Sequence, residues 1–369
     1  MPPRAANADA PPRRRAVDRT ALRLILLALT LAALAWVIVP IVTDWPRVRD
    51  LFARPAILLA LVGGSLAYAL LLWLCMAPGW WWLTRLYGRT APPLPTAAVW
   101  CRTQIVKYLP GNVAHYLGRQ MLGTRVGLHQ AEMAAASLLE LVSILAAAGV
   151  IGVAGLLLAA WSPVDAISAA EGVNAAAPSV PAEAPDHPDT AARLWAGIPI
   201  LAALLIAGLL AWPIADAILR RLPFASKKMS ELPRLSPVRS LTILGPAMLT
   251  HAVFLVATGS LLWWLVIAAT PETGGGLSPA APSFIRLIWV YAVAWAIGTI
   301  TPGAPAGAGV REAIITLELA QDLGRPEAAA IAIALRLVTT LGDAIAFAAS
   351  LAVPIRPAPS RTDPAAKPA

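Results

Sequence analysis

The segment KYLPGNVAHYLGR places a cation at each end, Lys107 and Arg119, with Tyr108, Asn112 and His115 between them. Arg102 lies just upstream. Cations interleaved with neutral hydrogen-bonding groups suit the holding of an anion. Guanidinium and ammonium supply charge-assisted donors, and hydroxyl, amide and imidazole groups fix orientation. In the middle stands Pro110–Gly111. Proline removes a backbone donor and glycine admits dihedrals that other residues avoid, so a helix breaks there. A helix that restarts after such a break begins with free N–H groups and a positive dipole end, which is itself an anion site. A second segment, TPGAPAGAGVRE over 301–312, has the break Pro302–Gly303, the small residues Gly307 and Gly309, and then Arg311 and Glu312.

The elements that must position these groups belong to a membrane protein. Of the 369 residues, 58% are hydrophobic and 13% charged, against about 25% charged in a soluble domain. A spanning helix needs about 20 mostly apolar residues. Six stretches meet that need: 21–42, 55–77, 131–160, 194–214, 240–269 and 326–354. Residues 1–20 read as a disordered basic tail, and 356–369 as a second disordered tail. The first apolar stretch exceeds the core of a secretory signal, about 7–15 residues, and is expected to be retained as a span. Cys75 and Cys101, the two cysteines, lie in apolar sequence and point to neither a disulfide nor a metal site.

The charges set the topology. The 162–192 connection is acidic, whereas 215–239 carries six Lys and Arg and both tails are basic. The positive-inside rule then places both termini and 215–239 in the cytoplasm, with 162–192 and 270–283 outside. The expected location is the cytoplasmic (inner) membrane, multi-pass. By parity, 94–126 begins and ends inside and 284–320 begins and ends outside. Both fit re-entrant helical hairpins, although a plain hydropathy count gives eight spans. The net charge of +9 is spent on these loops and does not argue for a nucleic-acid partner.

The two broken segments also mark an internal repeat. Arg119 and Arg311 each follow their Pro–Gly glycine by eight residues, and each segment leads into a Gly-started, Ala-rich span. The fold class expected is therefore an all-α polytopic membrane protein. It would have about six spans plus two hairpins, in two repeats (about 21–160 and 194–354). Three spans per repeat is an odd number, so the halves have inverted topology, an architecture of transporters with broken helices near the midplane.

Charges inside spans cost about 2.5–3.5 kcal/mol each on insertion scales and usually face an interior or a cavity. Glu140, Arg336 and Asp343 are such charges. Arg336 and Asp343, seven apart, share one helix face. Glu140 and Arg336 occupy equivalent places in the two repeats, which predicts a Glu140–Arg336 pair. Arg286 is expected to snorkel to the outer interface. The Trp-rich GWWWLTRLYGR (79–89) reads as an interfacial aromatic belt, and His251 as a packed, hydrogen-bonded residue. No phosphate-loop, HExxH or GxSxG pattern occurs. No cofactor or metal is implied, and no catalytic residue is singled out.

KYLPGNVAHYLGR and TPGAPAGAGVRE together resemble the signature of the flippase-like membrane family related to the transmembrane region of lysylphosphatidylglycerol synthase. The likeness covers about residues 20–355. In the second motif Ala304 and Pro305 stand where a Gly-rich run is usual. The resemblance implies translocation of a lipid or lipid-linked headgroup. The matched positions are Lys107, Tyr108, Pro110, Gly111, Asn112 and Arg119, then Pro302, Gly303, Gly309, Arg311 and Glu312. No soluble aminoacyl transferase is expected after the last span. The expected partner is an anionic or polyprenyl-phosphate lipid, bound through Arg102, Lys107, Tyr108, Asn112, His115, Arg119, Arg311 and Glu312. The alternatives are a membrane-embedded lipid-modifying enzyme, or a scaffold for a glycosyltransferase or lipid-synthesis enzyme.

Overall fold

The computed structural model describes residues 35, 37–87, 91–108, 114–160, 237–270, 282–301 and 304–355. The span expected at 194–214, the acidic connection, most of the 21–42 span and both tails lie outside these residues. So do Pro110, Gly111, Asn112, Pro302 and Gly303. All regular structure among the described residues is helical.

Among the described residues four helical stretches are long and apolar enough to cross a membrane: Pro55–Thr84, Gln130–Gly155, Thr242–Ala269 and Arg325–Leu351. They coincide with four of the six expected spans. The first follows a short helix α1 (Trp45–Phe52) and is composite: α2 (Pro55–Leu71), a π turn (Leu72–Met76) and α3 (Ala77–Thr84). Pro78 cannot donate to the carbonyl one turn earlier, and the wider π turn just before it takes up the mismatch. Leu58, Leu59, Val62, Leu66, Leu70 and Leu74 form an exposed stripe along this span. Water would penalise so long an apolar face; lipid would not.

The remaining elements are α4 (Pro93–Gln104), α5 (Ala114–Leu122), α6 (Gln130–Ala160), α7 (Pro237–Ala269), α8 (Phe284–Ile300), α9 (Val310–Leu323) and α10 (Arg325–Leu351). A 3-10 turn, Ile105–Tyr108, follows α4, and another, Pro305–Gly307, precedes α9. Helix α4 packs on α5, and α8 on α9, so both interrupted regions are helix–break–helix hairpins. In the second, Gly307 has φ +72°, and a Cβ there would stand 3.1 Å from the Gly298 backbone. Only glycine permits that approach between the break and its first limb.

Arg286, at the start of α8, is not a snorkelling residue. Its guanidinium lies 2.9 Å from Asp322 near the end of α9, and donates to the Glu318 carbonyl at 2.9 Å. That bridge closes the mouth of the second hairpin. Arg54, at the start of α2, donates to the carbonyl of Ala269 at the end of α7, and Arg47 pairs with Glu327 at the start of α10. Gly155 of α6 abuts Trp289 of α8, so α6 ends near the point where α10 begins. The chain thus contains two hairpin-plus-span units, α4–α6 and α8–α10. A left-handed glycine turns the chain into each last span: Gly127 with φ +86° before α6, and Gly324 with φ +84° before α10. The last span of each unit packs on the first limb of the other unit's hairpin, α6 on α8 and α10 on α4.

Candidate functional site

The two hairpin breaks meet. The turn Ile105–Tyr108 lies against the turn Pro305–Gly307, and beside them opens a cavity of about 100 Å³, room for several waters. Tyr68, Leu72 and Met76 of the composite span contribute to its wall. Lys107, Tyr108, His115 and Arg119 come from the first hairpin, and Ala306 and Arg311 from the second. Glu140 projects from α6, with Arg336, Thr339 and Asp343 from α10. Most of the charged residues singled out in the sequence are thus collected in one place.

Arg119 is 1% exposed. It pairs with Glu140 and donates to Gln104 Oε1 at 3.3 Å. Its guanidinium lies 5.3 Å from the Trp80 ring centroid, 5.2 Å from Trp100 and 5.5 Å from Tyr116. Trp100 Nε1 donates to the other Glu140 oxygen at 2.6 Å. An aromatic cage of this kind suits a desolvated guanidinium. Trp80, fully buried in it, is a core residue and not part of an interfacial belt.

Lys107 forms a cross-unit ion pair, its Nζ 2.7 Å from Asp343 Oδ2. The Tyr108 hydroxyl donates to the same oxygen at 2.5 Å. Asp343 is 1% exposed, and its Oδ1 has no hydrogen-bond partner among the described residues.

The expected Glu140–Arg336 pair does not form. Arg336 Nη1 donates to the Ala306 carbonyl at 3.0 Å and to Glu312 Oε1 at 3.3 Å. The reason is connectivity. The second limb of each hairpin runs beside the span that follows it, so Glu140 and Arg336 are met by Arg119 and Glu312 of their own hairpins before they can reach each other. Glu312 also accepts the Gly309 N–H at 2.7 Å, which fills the N-terminal anion position of α9 with the chain's own carboxylate. Glu312 supports the break from behind and does not line the cavity.

Arg102 is also displaced from the expected role. It donates to the carbonyls of Ser350 at 2.8 Å and Val353 at 2.6 Å, capping the end of α10. Gly309 (φ +84°) turns the chain into α9. His251 is buried, with Nδ1 2.7 Å from Ser143 Oγ.

Arg311 differs from the other cations. It lines the cavity, yet makes no hydrogen bond or ion pair among the described residues, and its Nε is buried without a partner. The cavity cations Lys107, Arg119, Arg311 and Arg336 face the carboxylates Glu140 and Asp343, with Glu312 behind. One positive charge is in excess, and it sits on Arg311.

Sequence reasoning passed over Tyr68, Gln104, Tyr116, Trp100 and Trp295, which complete the wall. Gln104 and Tyr116 lie in or beside the first motif. Tyr68, one of five tyrosines in the chain, interrupts an otherwise apolar span and was detectable on that ground. No family model matches the chain, and no curated protein matches it in sequence.

Proposed function

We propose that this chain is a polytopic membrane protein that moves a lipid, or a lipid-linked group, across the cytoplasmic membrane by its phosphate-bearing headgroup. The observation that carries the reading is Arg311, which lines the cavity without a partner among the described residues and leaves one positive charge in excess there. Its Nε is buried without a hydrogen bond, and an anionic headgroup supplies both an acceptor and a counter-charge. The acyl or polyprenyl tails stay in lipid along exposed apolar faces such as that of α2.

Other features support the same reading. The breaks of the two hairpins lie together, and with the repeat read as inverted this is the arrangement of a transporter with a central site. Each unit rocking on the other would expose the cavity to one side and then the other. The likeness of the two motifs to the flippase-like family points the same way. The basic connections and tails favour cytoplasmic termini by the positive-inside rule.

The test is headgroup accessibility in proteoliposomes holding acyl-labelled anionic and polyprenyl-phosphate lipids. Wild type should accelerate exchange of one class, and Arg311→Gln should abolish that exchange with an unchanged melting profile. No exchange of any lipid, with or without an imposed ion gradient or potential, overturns the reading.

A further inference from the structure

The cavity contains two unmet demands, and together they specify a ligand more narrowly than "a phosphate". The first is a single unit of charge. Among the described residues four cations are opposed by three carboxylates, counting Glu312 behind Arg336. In a cleft walled largely by protein the ligand that restores neutrality is the favoured one. A phosphate monoester, near two negative charges at neutral pH, overshoots. A zwitterionic headgroup leaves the excess in place. A phosphodiester monoanion cancels it.

The second demand is for a donor. Asp343 is 1% exposed and lines the cavity, and its Oδ1 has no partner among the described residues, because Lys107 and Tyr108 both bind Oδ2. A buried acceptor left unmade is penalised. An ammonium would satisfy it but would bring back a positive charge. A hydroxyl satisfies it at no cost in charge, since it donates while remaining neutral.

Resting on the transport reading above, we propose that the site selects a phosphodiester monoanion whose headgroup carries a free hydroxyl. The phosphate sits on Arg311 and the hydroxyl donates to Asp343 Oδ1. Glycerol-type headgroups belong to this class; phosphatidic acid, ethanolamine and choline headgroups do not.

Trp100 and Trp295 line the cavity, so ligand entry can be followed by intrinsic fluorescence of the purified full-length protein. The probes are the dihexanoyl forms of phosphatidylglycerol, phosphatidylmethanol, phosphatidic acid, phosphatidylethanolamine and phosphatidylcholine. Phosphatidylmethanol has the same charge as phosphatidylglycerol and no hydroxyl. Phosphatidylglycerol should bind at least tenfold more tightly than each of the others, and Arg311→Gln should remove most of that affinity. In Asp343→Asn the advantage over phosphatidylmethanol should shrink severalfold; should that variant not fold, the wild-type lipid comparison decides alone.

Equal binding of phosphatidylglycerol and phosphatidylmethanol overturns the proposal, as does tighter binding of the dianionic or zwitterionic lipids. In those cases headgroup transport still stands if the preferred lipid is moved in proteoliposomes. Failure of every lipid both to bind and to move rejects the transport reading itself.

Discussion

Lys107 Nζ stands 2.7 Å from Asp343 Oδ2, joining the break of the first hairpin to the last span of the opposite unit. Asp343 is buried on a helix shared with Arg336, yet it draws its counter-ion from the other half of the chain. Either partner alone would be a charge stranded in a low-dielectric interior.

Lys107→Ala and Asp343→Ala should therefore each destabilise by about 3–5 kcal/mol, the usual cost of breaking a buried pair. Lys107 is partly exposed, with 17% of its side chain accessible, so its loss should fall at the lower end. The double variant Lys107→Met/Asp343→Leu should cost less than the sum of the single variants. Thermal unfolding in detergent checks the cycle, and strict additivity would refute the coupling.

Arg119 should not tolerate lysine. An ammonium cannot spread over the three rings that surround the guanidinium, nor present its planar fork to Glu140 and Gln104. Arg119→Lys is expected to lower the melting temperature clearly. Arg119→Met should be rescued in part by Glu140→Leu, which removes the stranded carboxylate. Melting curves of the three variants decide the point.

Gly307→Ala should strain the second break twice over. Its φ of +72° lies in the left-handed region, and the new Cβ would press on the Gly298 backbone at 3.1 Å. The conformational part alone is about 1–2 kcal/mol. Gly245→Ala, where a Cβ meets nothing within 4 Å, is the control and should shift stability by about 1 kcal/mol or less. Equal melting temperatures for the two variants would contradict this account of the break.

Arg102→Ala should loosen the end of α10 and leave lipid handling intact. The guanidinium holds carbonyls of the last turn and the residues beyond it, a contribution of about 1 kcal/mol. Faster amide exchange over residues 348–353 with undiminished lipid movement is the expected result. Lost movement would return Arg102 to the site.

The sequence made the hairpins legible because Pro–Gly within apolar sequence is a local signal, and it made the buried charges legible because each is expensive in a span. Four spans were plain from length and composition. What it withheld was pairing. Helical periodicity places Arg336 and Asp343 on one face but does not say which chain segment meets that face. Glu140 and Arg336 were matched by counting along equivalent spans. In the folded chain Arg119 and Glu312, carried back by the second hairpin limbs, arrive first. Arg102 was read as a ligand-binding residue from its closeness to Lys107 in sequence. Helix α4 ends before the turn that carries Lys107, so the two side chains serve different places.

The contact between the turns Ile105–Tyr108 and Pro305–Gly307 has a mechanical consequence. Each turn is anchored to α10, the first through Tyr108 and Lys107 on Asp343 and the second through Arg336 on Ala306. Neither tip can swing without carrying the other or sliding α10 along its axis. The pair therefore works as one knuckle with α10 as its pin, and a displacement of either turn is felt at the other through a few ångströms of shared joint.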